Sequence, residues 1–196
     1  MFKFEDCFAG YVNLSHRKDR LIHMEGQLAA AGIVAERTEG INTRINVSAF
    51  RVDPILIEPE HETMFRRTPG AIGCYLSQMN VMKKALELGK SAFVMEDDLI
   101  FCSDIQNRFR YIENFINNQD PDFDVFWLGG TFHIGPPHWH TGTNQLLPNA
   151  FLRRDAQRTS DQRILRTYGC FSTHAYIVNI KSIEKILRML NEQMST

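Results

Sequence analysis

Phe93-Val94-Met95-Glu96-Asp97-Asp98 is an apolar run that ends abruptly in three consecutive carboxylates. The apolar half reads as a buried strand. Three adjacent acids repel one another, so at the mouth of such a strand they invite a divalent cation or another positive partner. Hard oxygen ligands of this kind suit Mg²⁺ or Mn²⁺, with substrate phosphates completing the shell. The plainer alternative is a solvated turn, or acids supplying charge at a helix start.

Working outward, Thr68 as N-cap and Pro69 at the first helical position open a helix. Its apolar face is Ile72, Tyr75, Leu76, Met79, Met82, Ala85 and Leu86, and Gly89 closes it. Further upstream, Gly10 to Leu14 reads as a strand. Leu21, Met24, Leu28 and Ala31 then recur at helical spacing until Gly32 offers a stop. Ile33-Val34-Ala35 is expected as a second strand, and Thr38 to Arg67 as mostly loop.

Downstream of the acids, Ser103 is expected to cap a helix with Phe109, Ile112, Phe115 and Ile116 on one face, broken by Asp120-Pro121-Asp122. Val125 to Leu128 reads as a strand running into Gly129-Gly130. The segment from Thr131 to Gly169 is rich in Gly, Pro, His and Arg, and longer than a structural connection needs. Ala175 to Val178 and Ser182 to Leu190 read as a final strand and helix; the helix carries Ile183, Ile186, Leu187 and Leu190. This alternation predicts an α/β sandwich, helices on a mainly parallel sheet, with ligands at the carboxyl ends of the strands.

The 196 residues fit a single domain, 1–196, large enough to bury a core without staples. A formal charge of -1, from 22 basic and 23 acidic residues, gives no bulk reason to expect nucleic acid or an anionic membrane as partner. Cys7, Cys74, Cys102 and Cys170 are widely spaced and read as free thiols in a reducing compartment, with Cys74 packing as a small hydrophobe. The acidic start, Met1-Phe2-Lys3-Phe4-Glu5-Asp6, is unlike a signal peptide, and no later stretch is apolar enough to span a bilayer. A soluble, cytoplasmic protein is expected.

Three further clusters carry chemistry. Tyr11 to Arg20 joins a strand end to a helix start under Arg17, Lys18 and Arg20, where free N–H groups and guanidinium groups suit a diphosphate. Taken singly, each of these cations reads as exposed charge. Gly70 and Gly73 open a helix and allow close approach of a ligand or of another backbone. In the loop Gly130 to His140, His133, His138 and His140 lack the Cys or carboxylate that a structural zinc site needs. Trp139 and His138 read either as an acceptor surface or as a partly exposed loop.

Together, Asn13-Leu14 with Arg17 and Arg20, then Gly70-Ala71-x-Gly73-Cys74-x-Leu76-Ser77, then Glu96-Asp97-Asp98 resemble the family 25 glycosyltransferases. That family includes lipooligosaccharide galactosyltransferases and collagen-type sugar transferases. Phe123 to Gly129 and Thr173 to Val178 are also similar, so the resemblance spans most of the chain. It implies a GT-A fold that binds a nucleotide sugar. Glu96 then takes the place of the first acid, near ribose or metal, and Asp98 that of the principal ligand of Mn²⁺ or Mg²⁺. Asn13, Leu14, Arg17, Arg20 and Asp97 fall to the nucleotide side, while Gly73 and Ser77 support the donor pocket. Gln78 stands where the family usually has His. The chain is expected to be a short member or a piece of a longer protein.

His174, at a strand start near the same edge, is read as completing the metal shell, with a buried structural role as the alternative. An acceptor hydroxyl needs a base, and Asp161, Asp155 and His133 lie in the irregular segment; Asp161 is preferred, then His133. The run Arg153 to Arg158 reads as a solvated loop more readily than as a diphosphate clamp. The resulting expectation is a metal-dependent transfer of galactose or glucose from a UDP-sugar to a glycan or glycoprotein hydroxyl. A non-catalytic nucleotide-sugar or glycan-binding domain, and a Mg²⁺-dependent phosphohydrolase or nucleotidyltransferase, are the rivals.

Overall fold

A computed structural model describes residues 1–43, 69–131, 156–158, 165–167 and 171–195. The first strand, β1 (Phe8–Asn13), is followed by helix α1 (Lys18–Ala31) and strand β2 (Glu36–Glu39). Helix α2 (Pro69–Glu87) leads into β3 (Ala92–Glu96), helix α3 (Ile105–Gln119) and β4 (Val125–Thr131). The short strands β5 (Ala156–Arg158) and β6 (Leu165–Thr167) precede β7 (Phe171–Val178) and helix α4 (Ile180–Ser195).

Five strands form one sheet in the order β2-β1-β3-β7-β4. β1 is parallel to both β2 and β3, whereas β7 runs antiparallel to β3. The sheet is therefore mixed, as an α/β fold with a mainly parallel centre allows. The chain divides into two compact units, Met1–Leu128 with His174–Thr196, and Gly129–Thr173. Within the second, β5 and β6 pair antiparallel. The expectation of an irregular stretch from Thr131 to Gly169 is thus corrected at 156–158, part of the basic run read as a solvated loop, and at 165–167; most of the stretch lies outside the described residues.

Strand β3 is at the centre because its sequence is apolar on both faces: Ala92, Phe93, Val94 and Met95 are all buried. On one face Ala92 and Val94 pack with Met79, Met82 and Ala85 of α2 and with Ile183 and Leu187 of α4. On the other, Phe93 meets Phe109 of α3 edge-on, with Phe4 stacked on Phe109 at 3.8 Å between ring centroids. Gln106 of α3 donates to the carbonyl of Ala31 in α1, so these two helices share that face.

Both expected glycine stops hold. Gly32 and Gly89 each sit at φ 65°. Beyond them the N–H groups of Ile33 and Lys90 reach back to Leu28 and Ala85, the hydrogen bonds of a Schellman close. The second strand, however, is Glu36-Arg37-Thr38-Glu39 rather than Ile33-Val34-Ala35; Val34 is 95% exposed. It lies at the sheet edge, where pairing with β1 needs backbone groups rather than apolar side chains, and charge protects the free edge. Asp104, not Ser103, occupies the N-cap position of α3, without a side-chain capping bond. Thr68 lies outside the described residues.

Because β2 and β3 lie on opposite sides of β1, with α1 and α2 on opposite faces, the connections reverse between β1 and β3. That reversal opens a crevice at the carboxyl ends of these strands. The stretch after β2 is drawn against α2 there: Ser77 Oγ accepts from the Ile41 N–H at 2.8 Å and donates to the Gly73 carbonyl at 2.5 Å. A Cβ on Gly73 would fall 2.2 Å from the Ile41 carbonyl oxygen, inside backbone that cannot swing away as a side-chain end can. Gly73→Ala should therefore destabilise the fold by about 1–3 kcal/mol in urea unfolding, the usual scale for overpacking.

Candidate functional site

The crevice holds a cavity of about 310 Å³ lined by Val12, Leu14, His16, Arg17, Arg20, Gly40 to Thr43, Gly70, Gly73, Cys74, Ser77, Glu96 and Asp97. A larger recess of about 450 Å³ opens where the strands begin, among Cys7, Ala9, Ile33, Val34, Phe93 and Arg110. The smaller cavity is the chemically endowed one. Among the described residues, the one cluster of metal-ligand type is Glu96, Asp98 and His174, whose ligand atoms lie within 4.8 Å of one another.

Strand register makes this cluster. Met95 pairs with Ala175, so one step further along the antiparallel ladder sets His174 beside Glu96. His174 Nδ1 lies 3.4 Å from Glu96 Oε2 and 3.5 Å from Asp98 Oδ1. Two ligand atoms adjacent on one octahedral Mg²⁺ stand about 3 Å apart, given bond lengths near 2.1 Å. Small adjustments of the exposed Asp98 and His174 side chains bridge that difference. Two carboxylates and one imidazole form a hard, mixed O/N donor set that fits Mn²⁺ or Mg²⁺.

The three acids have separate surroundings. Asp97 is turned inward, where Asn13 Nδ2 donates to its Oδ2 at 2.7 Å and Arg20 Nη1 to its Oδ1 at 2.9 Å. Arg20 Nη1 also lies 3.0 Å from Asp98 Oδ2. One guanidinium against three carboxylates leaves two negative charges at the strand end, the complement of a divalent cation.

Asn13 was expected on the nucleotide side, but its amide faces protein. Its Nδ2 also donates to the Arg17 carbonyl, and its Oδ1 accepts from Arg37 Nε. It is 1% exposed and is not among the residues lining the cavity. Leu14, Arg17, Arg20, Gly73, Ser77, Glu96 and Asp97 do line it. Arg17 forms a forked pair with Asp19, which holds that carboxyl well below the usual carboxylate range. Asp161, Asp155, His133, His138, Trp139 and His140 lie outside the described residues.

Cys74 departs from the expected role of a core hydrophobe. Its thiol is hydrogen-bonded to Glu96 Oε1 at 3.2 Å, on a helix face shared with Gln78 four residues on. Cys7 is the core thiol, pushed up to about 12 by burial. Arg37, Glu39 and Tyr176 were not picked out from the sequence. Arg37 and Glu39 sit in a charged four-residue strand with no apolar signal. Tyr176 looks like any core aromatic, though it falls two residues from His174 and so on the same face of β7.

Glu39 ties this edge together, accepting from both the hydroxyl and the N–H of Ser15. The Ser15 hydroxyl is the main reason its carboxyl lies below the ordinary range; burial opposes this, while the Ser15 N–H and Arg37 add to it.

Comparison with known proteins bears on this geometry. The family described as Glycosyltransferase family 25 (LPS biosynthesis protein) matches residues 11–195. Procollagen galactosyltransferase 1 of Danio rerio is 27% identical over 133 residues, covering 64% of this chain and 21% of that protein. Procollagen galactosyltransferase 1-A of Xenopus laevis is 28% identical over 134 residues, and procollagen galactosyltransferase 2 of Homo sapiens 27% over 132, with the same coverage. The chain thus spans about a fifth of the length of these relatives.

Two outcomes are expected. Asn13→Ala strands Asp97 and Arg37 around a lost buried partner and should cost about 1–3 kcal/mol in equilibrium unfolding. A carboxyl with a depressed folded pKa stabilises fully above its unfolded value, here 4.5, and loses that contribution as pH falls through the folded value. Glu39→Gln should therefore show a smaller loss of stability than wild type when pH is lowered below about 4.5, read from melting temperatures across pH.

Proposed function

This chain belongs to glycosyltransferase family 25, and from that premise we propose that it is a metal-dependent hexosyltransferase. The donor is a UDP-sugar carrying galactose or glucose, and the acceptor is a hydroxyl on a glycan or glycoprotein. The observation that carries this reading is the placement of Glu96, Asp98 and His174 at the strand ends beside the 310 Å³ cavity. The names of the galactosyltransferase relatives support the hexosyl part of it.

In the reaction the bond from the anomeric carbon to the diphosphate oxygen breaks, and a bond to the acceptor oxygen forms. Glu96, Asp98 and His174 would hold Mn²⁺ or Mg²⁺, which supplies positive charge against the departing diphosphate. Arg17, which lines the cavity, adds a cation on the nucleotide side. Arg20 holds Asp97 and Asp98 in place in advance, so little reorganisation is left to the moment of transfer. Gly73 and Ser77 keep the Gly40 to Thr43 rim against α2 and so shape the cavity wall. Asp161, with His133 as second choice, is proposed on sequence grounds as the base that takes the acceptor proton.

No helix among the described residues is long and apolar enough to cross a membrane. The cytoplasm is the proposed compartment.

Calorimetric titration with UDP, with and without Mn²⁺, and release of UDP from UDP-galactose and UDP-glucose test this reading. Wild type should bind UDP more tightly with Mn²⁺ present. Asp98→Ala should lose that enhancement and lower UDP release on the order of 100-fold or more with its circular dichroism unchanged. Metal-independent UDP binding by wild type would count against Asp98, and binding without turnover of any UDP-sugar would favour a non-catalytic binding domain.

A further inference from the structure

Two hydrogen bonds in series run from the core to the acidic cluster. The Tyr176 hydroxyl donates to Gln78 Oε1 at 2.9 Å, and Gln78 Nε2 donates to Glu96 Oε1 at 2.9 Å. The amide has one workable orientation, because turning it over would set its oxygen against the Glu96 carboxylate, acceptor facing acceptor. Tyr176 and Gln78 are each 5% exposed, so neither bond is exchanged readily for water. Tyr176 is itself held in place. It pairs with Val94 across the β3–β7 ladder, and its ring lies 4.9 Å from that of Trp127.

The effect on Glu96 is a division of its two oxygens. Oε1 is engaged by Gln78 and Cys74 on the helix side, and Oε2 lies 3.4 Å from His174 Nδ1 within the cluster. A glutamate at a strand end has three side-chain torsions to fix before it can act as a ligand, and each costs entropy if fixed only on binding. Neutral donors on the inner oxygen fix the carboxylate plane beforehand without removing its charge. Alternation along β7 places His174 and Tyr176 on the same face, so one strand carries both a member of the cluster and the anchor of the relay.

We propose that Tyr176 and Gln78 are positioning residues that hold the Glu96 carboxylate with its outer oxygen toward a divalent cation. This rests on the metal reading above and adds that metal affinity is governed in part from the buried core. Partners of this kind beyond the ligands themselves typically change metal affinity 10- to 100-fold.

The experiment is Mn²⁺ binding without nucleotide, followed by the electron paramagnetic resonance of free Mn²⁺, on wild type, Tyr176→Phe, Gln78→Leu, the double variant, Asp98→Ala and Ser182→Ala. Tyr176→Phe keeps the ring and removes only the hydroxyl. Ser182→Ala, on α4, removes a hydrogen bond to Asp124 and stands as the control for lost stability alone. Wild type should bind Mn²⁺, and Tyr176→Phe about 10-fold more weakly. The double variant should bind no more weakly than Gln78→Leu, since both act through one relay, and Ser182→Ala should match wild type. Binding by Tyr176→Phe and Gln78→Leu equal to wild type, while Asp98→Ala fails to bind, overturns the relay and leaves the metal reading standing. Equal weakening by Ser182→Ala also overturns the relay, as a stability effect. Failure of wild type to bind Mn²⁺ overturns the metal reading and the relay together.

Discussion

A single buried amide organises the functional edge of this protein. Asn13 ends the strand next to the most buried one, and at 1% exposure its polar atoms need partners within the protein. They find them in three segments: the Asp97 carboxylate after β3, the Arg17 carbonyl at the start of α1, and the Arg37 guanidinium in β2. With Asp97 drawn inward by Asn13 and Arg20, Glu96 and Asp98 are left on either side of it to meet His174. Three adjacent acids would otherwise repel one another without any assigned place. Here Asp97 is paired within the protein, and Glu96 and Asp98 are grouped with His174.

The cavity beside them depends on topology and on one close approach. The reversal of connection between β1 and β3 leaves a gap at their carboxyl ends that no helix among the described residues fills. Its far wall is the stretch after β2, which reaches α2 only because Gly73 has no Cβ and Ser77 offers both a donor and an acceptor. Residues that resemble a ligand-binding motif in the sequence thus act on the cavity largely by packing protein against protein.

Much of the fold was legible because its signals are local. The apolar run before Glu96, the 3.6-residue face of α2 and the glycine stops at Gly32 and Gly89 each follow from turn chemistry or periodicity within a few residues. The errors fell where context overrides pattern. Glu36 to Glu39 has no strand-like alternation of apolar residues, yet an edge position beside β1 makes it a strand. Ile33 to Ala35 looks like a strand and is none, with Val34 exposed, because the chain is still leaving the helix close at Gly32. Cys74 carries no mark in its sequence of lying 3.2 Å from a carboxylate across 22 residues of chain.

The sequence by itself determined which segments are strands and helices over most of the described chain, and that three acids stand at the end of a buried strand. Those properties depend on neighbours within one turn or one pleat. Only the tertiary structure decided which partners each acid meets. Asp97 meets Asn13 across 84 residues, and Tyr176 meets Gln78 across 98. Such pairs are set by strand order and by antiparallel register, and a one-residue slip of β7 against β3 would turn His174 and Tyr176 to the opposite face. Periodicity reveals which face of an element is buried, but not which residue of another element it faces, and the candidate site is made of the second kind of information.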